Sequence, residues 1–271
     1  NTGISKGGQT ALIHRTLYPG DVDISVCYVG PLCFGVEDGR HEPFISSKVS
    51  TENDRKKVQD FQMEVLKRRN KIFPLFKKYC TEKKYSFHLP LQEIYDYCVL
   101  EFSFSFWQWG WKPSSIPSSS ASNADLFNYL IRICSPDYFA DDGQDYSPSF
   151  FVQAARELGY YGYDTEPFRK YLKIKTAKGY LEKIFLPKDL KIDFDSSISI
   201  QCQHFLDTRD EKMIFIYGEY DPWSAPAVEF NGKKNMFKAV CPGGSHATRI
   251  RSFGEKEKQE IIDRIKTWLE E

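Results

Sequence analysis

The stretch Thr2-Gly3-Ile4-Ser5-Lys6-Gly7-Gly8-Gln9 decides the fold of this chain. Its glycines flank a serine in the spacing G-x-S-x-G, which is the pattern of a sharp turn from a β-strand into an α-helix. In such a turn the serine hydroxyl is exposed at the tip, above the end of the strand. The stretch therefore predicts a helix directly after Ser5 and makes Ser5 a candidate nucleophile. We expect the strand that precedes the turn to lie outside the chain.

The residues that follow this turn continue an α/β pattern. Residues 10–17 have the apolar content of a helix packed on a sheet, and Tyr18-Pro19-Gly20 ends it. Residues 22–29 are rich in β-branched side chains and predict a short strand. The order turn, helix, strand is typical of one half of a doubly wound parallel sheet.

The sheet pattern returns late in the chain. Residues 212–218 and 235–240 are compact apolar runs that predict two further strands, and the residues between them leave room for a crossover helix. Residues 253–269 carry one apolar stripe among many Lys and Glu residues, which predicts an amphipathic helix that covers one face of the sheet.

A long helical segment separates the two parts of the sheet. Between residues 54 and 191, apolar residues recur three and four positions apart, and further helical patterns occupy residues 124–133, 149–158 and 166–172. We therefore predict an α/β-hydrolase core in residues 1–53 and 192–271, with residues 54–191 as a helical lid over the active site. The N-terminal strands of that core are expected to lie outside this chain.

Composition restricts the classes of partner. Lys and Arg together number 37, as do Asp and Glu, so the zero formal charge does not favour nucleic acid. No stretch approaches the roughly 20 apolar residues of a membrane span. The seven cysteines contain no C-x-x-C pair, and most are expected to be buried thiols. The acidic residues 141–145 do not follow the spacing of a calcium loop, so neither a metal nor a cofactor is predicted.

Two later loops offer partners for Ser5. A nucleophilic serine needs a base to remove its proton and a carboxylate to orient that base. In the chain order Ser, Asp, His of the α/β hydrolases, both partners follow late strands. Asp221 follows the strand that ends at Gly218, and His246 lies in a glycine-rich loop after the next strand. Glu219 is a rival for the acid, but Asp221 lies further into its loop.

An oxyanion formed on the substrate would also need donors. The backbone N–H of Lys6, at the start of the predicted helix, is the first candidate. The second donor of this fold normally comes from an earlier loop, which we expect to lie outside this chain.

The chain resembles the secreted bacterial prolyl tripeptidyl aminopeptidases, which are serine peptidases of the α/β-hydrolase type distantly related to the Pro-X carboxypeptidases. Four segments carry the resemblance: residues 2–10 (TGISKGGQT), 18–31 (YPGDVDISVCYVGP), 102–110 (FSFSFWQWG) and 243–250 (GGSHATRI). The resemblance implies that Ser5, Asp221 and His246 form a catalytic triad. It also implies release of short peptides from a free N-terminus, often after proline, by a secreted or periplasmic protein.

Such an exopeptidase must bind the substrate's ammonium group, for which a carboxylate on the lid is the natural partner. Glu101 is our candidate, although it equally suits a salt bridge within the lid. An apolar pocket for a proline ring is expected from the neighbouring aromatic residues, which are equally suited to a core; they are Phe104, Phe106, Trp107, Trp109 and Trp111.

Two other functions remain open. An esterase or lipase of the same fold would use the same triad, with a broad apolar lid in place of a charged anchor. A non-catalytic module that retains the fold and binds peptides is the alternative from a different class.

Overall fold

The computed structural model describes residues 1–143 and 147–271. In this part of the chain, four parallel strands form one sheet in the order β1-β2-β3-β4. Because the strands are parallel, their carboxyl ends lie at the same edge, where functional groups gather in such sheets. The strands are β1 (Thr2–Ile4), β2 (Ser25–Tyr28), β3 (Met213–Gly218) and β4 (Met236–Cys241).

Helices lie between β1 and β2, between β2 and β3, and after β4. The α-helices of the described residues are α1 (Lys6–Leu17), α2 (His41–Ser47), α3 (Glu52–Lys67), α4 (Arg69–Lys83), α5 (Leu91–Gln108), α6 (Asn123–Ile133), α7 (Pro148–Gln153), α8 (Tyr180–Phe185), α9 (Ser197–Thr208) and α10 (Glu255–Glu270). A short π-helix, Ala154–Leu158, continues α7. Helices α2 to α8 all lie between β2 and β3 in the chain.

Strand β3 is covered by other elements on both faces of the sheet. All six of its residues are buried. Met213 and Phe215 pack in one cluster with residues of α1 and α9, while Ile214 and Ile216 pack in another with α10. A parallel strand that is buried on both faces reads as a continuous apolar run, which is what the sequence has.

A third and larger core lies within the helices between β2 and β3. Helix α5 is at its centre, and nearly every residue from position 94 to 107 is buried. Its aromatic residues contact α3 and α4: Phe102 lies 4.5 Å from Phe61 between ring centroids, and Tyr95 lies 5.2 Å from Phe76. The aromatic run that the sequence presents is therefore largely a packing feature.

The structure corrects three predictions. The strand before Ser5 lies within the chain, because Thr2–Ile4 pairs in parallel register with Val26 to Tyr28. The connection from β3 to β4 contains only the one-turn 3-10 helix Pro222–Ser224, because Pro222, Pro226 and Gly232 interrupt any longer helix. Residues 166–172 form only the 3-10 turn Glu166–Phe168.

Other predictions are confirmed. The strands expected within residues 22–29, 212–218 and 235–240 are present, as are the helices expected at 124–133 and at the C-terminus. All seven cysteines are buried free thiols. Of the acidic residues 141–145, Asp141 pairs with His88, and Asp142 accepts a hydrogen bond from Ser86, whereas Gln144 and Asp145 lie outside the described residues. None of the described helices has the length and hydrophobicity of a membrane span.

Candidate active site

Ser5 occupies a strained turn between β1 and α1. Its backbone has φ 57° and ψ −123°, an uncommon conformation for a residue with a side chain. The Ser5 N–H donates a 2.8 Å hydrogen bond to the carbonyl of Tyr28, and the Ser5 side chain does not cap α1. The Ser5 hydroxyl is therefore not held by a capping bond to α1.

Glycines allow this turn to be tight. A Cβ atom on Gly3 would lie 2.0 Å from the carbonyl oxygen of Gly7, and one on Gly8 would lie 2.7 Å from the carbonyl oxygen of Tyr28. Both approaches are to backbone, which cannot move aside cheaply. A Cβ on Gly7 would meet nothing within 4 Å. The steric requirement thus falls on Gly3 and Gly8.

Asp221 and His246 form a buried hydrogen-bonded pair. His246 Nδ1 lies 2.7 Å from Asp221 Oδ2, and the residues are 6% and 0% exposed. Burial raises the pKa of Asp221, while the hydrogen bond with His246 opposes that rise. When Nδ1–H donates to the carboxylate, Nε2 is left as an acceptor, which is the form of imidazole that a general base needs.

The carboxylate of Glu219, the other candidate for the acid, has a different hydrogen-bond partner. Glu219 Oε2 accepts a 2.6 Å hydrogen bond from the backbone N–H of Gly243, whereas Asp221 also accepts one of 3.1 Å from the N–H of Trp223. Asp221, rather than Glu219, is therefore the carboxylate in hydrogen-bond contact with His246. Glu219 instead links the end of strand β3 to the loop that carries His246.

The three predicted catalytic residues lie at one edge of the sheet. Ser5 follows β1, Asp221 follows β3 and His246 follows β4, each at a carboxyl end. Among the described residues, no hydrogen bond joins the Ser5 hydroxyl to His246. Lys6 is the first residue of α1, where backbone N–H groups have no acceptor within the helix.

The histidine loop is also attached to α5. The His246 N–H donates a 2.9 Å hydrogen bond to the carbonyl of Gln108, at the last residue of the helix. The next residue, Trp109, places its ring edge-on to His246 with centroids 6.0 Å apart. Trp109 is 58% exposed, so it adjoins the imidazole and also faces solvent.

Glu101 lies in a cage of hydroxyl groups. Ser105 donates to Oε1 at 2.5 Å, while Tyr161 and Tyr163 donate to Oε2 at 2.9 and 2.8 Å. Burial raises the pKa of Glu101 to about 7, and these three hydrogen bonds lower it only in part. No cation contacts Glu101 among the described residues, and it is 3% exposed. Its role as partner of a substrate ammonium stays a prediction.

The predicted aromatic pocket residues separate into different environments. Phe106 is fully buried and contacts the rings of Phe102 and Trp107 in the helical core. Trp107 is also buried, with its ring 6.0 Å from that of Tyr220, just before Asp221. Of the five aromatic residues we predicted, Trp109 makes the ring contact with His246.

Of an aromatic cluster beside the pair, the sequence reasoning named only Phe104. Trp223 lies 6.5 Å from His246 between centroids, and its ring meets those of Phe104, Tyr161 and His41 edge-on or nearly so. The only local signal was an aromatic residue two positions after the candidate acid. Tyr161 and His41 have no signal of their own, since they reach the site through long-range packing.

Comparison with known proteins bears directly on this arrangement. Residues 1–270 match the model of a family described as PS-10 peptidase S37. The chain belongs to this family.

One similar protein is the prolyl tri/tetrapeptidyl aminopeptidase of Streptomyces mobaraensis. It is 26% identical over 279 aligned residues, which are 98% of this chain and 57% of that protein. The chain therefore spans little more than half the length of this relative. Within this S37 chain, the described residues include the strained serine turn and the Asp221–His246 pair.

Proposed function

We propose that this chain carries the serine, base and acid of an exopeptidase that releases short peptides from free N-termini. The observation that carries the proposal is the buried 2.7 Å contact between His246 Nδ1 and Asp221, at the same sheet edge as the strained Ser5 turn. Membership of the S37 peptidase family supports it.

The chemistry is acyl transfer in two steps. Ser5 Oγ attacks the scissile carbonyl as His246 Nε2 takes its proton, and the Lys6 N–H donates to the resulting oxyanion. The oxyanion collapses, the C–N bond breaks, and His246 gives the proton to the departing amine. Water then attacks the acyl-enzyme with His246 again as base, which frees the peptide and restores Ser5. Asp221 stays ionised and holds the imidazole throughout.

The substrate proposal rests on the relative and on the aromatic residues. The name of the Streptomyces protein describes prolyl tri- and tetrapeptides, and we propose the same preference for proline before the scissile bond here. Trp109 and Trp223, which adjoin His246, would supply apolar walls for a ring that has no N–H.

The architecture and location follow from the same proposal. Residues 1–53 and 192–271 would form the α/β-hydrolase core, and residues 54–191 its helical lid. The contact between Gln108 and His246 supports a lid that closes over the catalytic edge. We propose a secreted or periplasmic location, on the resemblance of the sequence to secreted peptidases.

Labelling with a fluorophosphonate, followed by mass spectrometry, tests the proposal. Such a probe reacts with an activated serine, so we expect modification at Ser5 that disappears in the His246→Ala variant. His204→Ala, which changes an exposed histidine of α9, is the matched control and should label like wild type. Peptide and ester substrates assayed side by side would then separate a peptidase from an esterase. A folded protein that is unlabelled at Ser5 would support the non-catalytic alternative.

A further inference from the structure

A cavity of about 340 Å³ lies among the helices between β2 and β3. Helices α2, α3 and α5 and the segment that carries Tyr163 contribute its walls. Neither Asp221 nor His246 lines it, so it is distinct from the pair described above. Its volume suits a few amino-acid residues rather than a single small ion.

Two buried polar atoms at this cavity have no hydrogen-bond partner. They are Glu42 Oε2 and Trp107 Nε1, and both residues line the cavity. Trp107 is 2% exposed. Leaving a buried polar group unpaired is costly, and the cost is higher for a charged group. An unpaired buried acceptor and an unpaired buried donor, both in residues that line the same cavity, indicate a ligand that would pair with them.

The charge balance of the cavity favours a cation. Burial raises the pKa of Glu42, a hydrogen bond from its own backbone N–H opposes that rise, and the neighbouring carboxylates Glu37, Asp164 and Asp38 add to it. No salt bridge of the described residues involves Glu42. A cation bound beside Glu42 would compensate both the burial and the like-charge repulsion.

The basic residues that line the cavity are already engaged. Arg55 donates to the carbonyl oxygens of Val49 and Ser50 at 2.8 and 2.9 Å. Lys56 contacts the carboxylate of Asp60 at 2.7 Å. Neither residue pairs with Glu42, so among the described residues the Glu42 carboxylate has no cationic partner.

The cavity also lies within reach of the catalytic edge. Phe104 lines it, the Phe104 ring is 5.4 Å from that of Trp223, and Trp223 is 6.5 Å from His246. An extended chain advances about 3.3–3.6 Å per residue, so three residues span about 10 Å. A peptide of about three to four residues is therefore comparable in length to the path from His246 past Trp223 to Phe104 on the cavity wall.

We propose that this cavity receives the N-terminal end of the substrate and that Glu42, rather than Glu101, binds its α-ammonium group. This inference rests on the proposed function. The Trp107 indole N–H is then available to a carbonyl of the bound peptide. The length of chain between the cavity and His246 makes the protein selective for release of short peptides with an unblocked amino group.

Gly162 gives a second way to perturb Glu42. A Cβ on Gly162 would lie 2.4 Å from Glu42 Oε1. Because that atom is the end of a flexible side chain, Gly162→Ala should displace the carboxylate without changing its chemistry or unfolding the protein.

The test measures binding in the Ser5→Ala protein, so that no turnover interferes. The probes are alanyl-alanyl-proline amide and its N-acetyl form, titrated by calorimetry. We expect the free-amine peptide to bind more tightly, and Glu42→Gln to weaken it by about 10- to 100-fold, the effect of losing one charge-assisted hydrogen bond. The acetylated peptide should bind Glu42→Gln as it binds the parent, and Gly162→Ala should behave like Glu42→Gln.

Two matched variants give the outcomes that overturn the inference. Glu52→Gln removes another cavity carboxylate and should leave both affinities unchanged. If Glu101→Gln, and not Glu42→Gln, abolishes the preference for the free amine, Glu101 is the anchor and the inference is wrong. Equal affinity of the parent for both peptides also overturns it. Glu42-dependent binding, together with no fluorophosphonate labelling of Ser5 in the wild-type protein, would instead support this inference and contradict the proposed catalysis.

Discussion

The backbone N–H of His246 donates a 2.9 Å hydrogen bond to the carbonyl oxygen of Gln108, which joins the histidine loop to the end of α5. The two residues are far apart in sequence and belong to different parts of the fold. This bond makes the position of the candidate base depend on the packing of the helical segment, and Gly110, two residues further on, lies directly against the same loop.

Gly110→Ala should disturb this junction. Gly110 has φ +69°, and a Cβ there would lie 3.1 Å from both Cβ and Oγ of Ser245, the neighbour of His246. We expect the variant to lose about 1–2 kcal/mol of stability from its left-handed backbone and to react about tenfold more slowly with a fluorophosphonate. Gly179→Ala is the matched control, because Gly179 has φ +70° with nothing within 4 Å. Equal reactivity of both variants would mean that the junction does not position His246.

Asp221→Asn should preserve the shape of the site while changing the imidazole tautomer. An amide in place of the carboxylate can donate to Nδ1, which leaves the proton on Nε2, where the base must accept one. We expect the rate of peptide hydrolysis to fall by a factor on the order of 10³–10⁴. The neighbouring Glu219→Gln keeps the Asp221–His246 pair and should remain close to wild type. A similar loss in both variants would contradict the assignment of Asp221 as the acid.

Glu101 should make stability depend on pH. Its folded-state pKa is raised to about 7, so the stability it contributes is fully present below an unfolded value near 4.5 and is lost as pH rises to about 7. Relative to Glu101→Gln, the wild-type free energy of unfolding should fall over this interval by an amount on the order of 3 kcal/mol. Urea unfolding at several pH values measures it. Glu182→Gln, an exposed control, should follow wild type, and a flat difference for Glu101→Gln would contradict the raised pKa.

Adjacent glycines of the serine turn should respond in opposite directions. Gly8→Ala places a methyl group 2.7 Å from a backbone oxygen and should destabilise the protein by about 1–3 kcal/mol, as overpacking does. Gly7→Ala has open space within α1 and should stabilise it by about 0.5–1 kcal/mol. Thermal unfolding of the two variants separates these effects. A destabilised Gly7→Ala would show that the G-x-S-x-G spacing, rather than the contacts of Gly8, governs the turn.

The parts of the fold that follow from local pattern could be predicted. Strand β3 is recognisable because burial on both faces makes every position apolar, and α10 because its stripe faces the sheet. The β3–β4 connection could not be predicted in the same way, since a parallel crossover usually contains a helix. Here the prolines at 222 and 226 allow only one turn, so local breakers prevail over the usual topology.

The same distinction holds for the candidate site: the parts that follow from local pattern could be predicted, and the parts that depend on long-range packing could not. The pairing of Asp221 with His246 was accessible because each follows a strand end and the chain order is informative. The environment of Glu101 was not, because the hydrogen bond from Tyr161 joins residues 60 positions apart. Glu42 gives no sequence signal, since its significance depends on an unpaired oxygen at a cavity.

Six of the seven buried thiols belong to the three cores, so their reactivity can report which core opens locally. Cys80, Cys98 and Cys134 lie in the helical core, Cys27 and Cys202 under one face of the sheet, and Cys241 under the other. A reagent that alkylates thiols can reach each group only when its core opens. The order in which the cysteines react, read by peptide mapping, would show which layer of the protein loosens first.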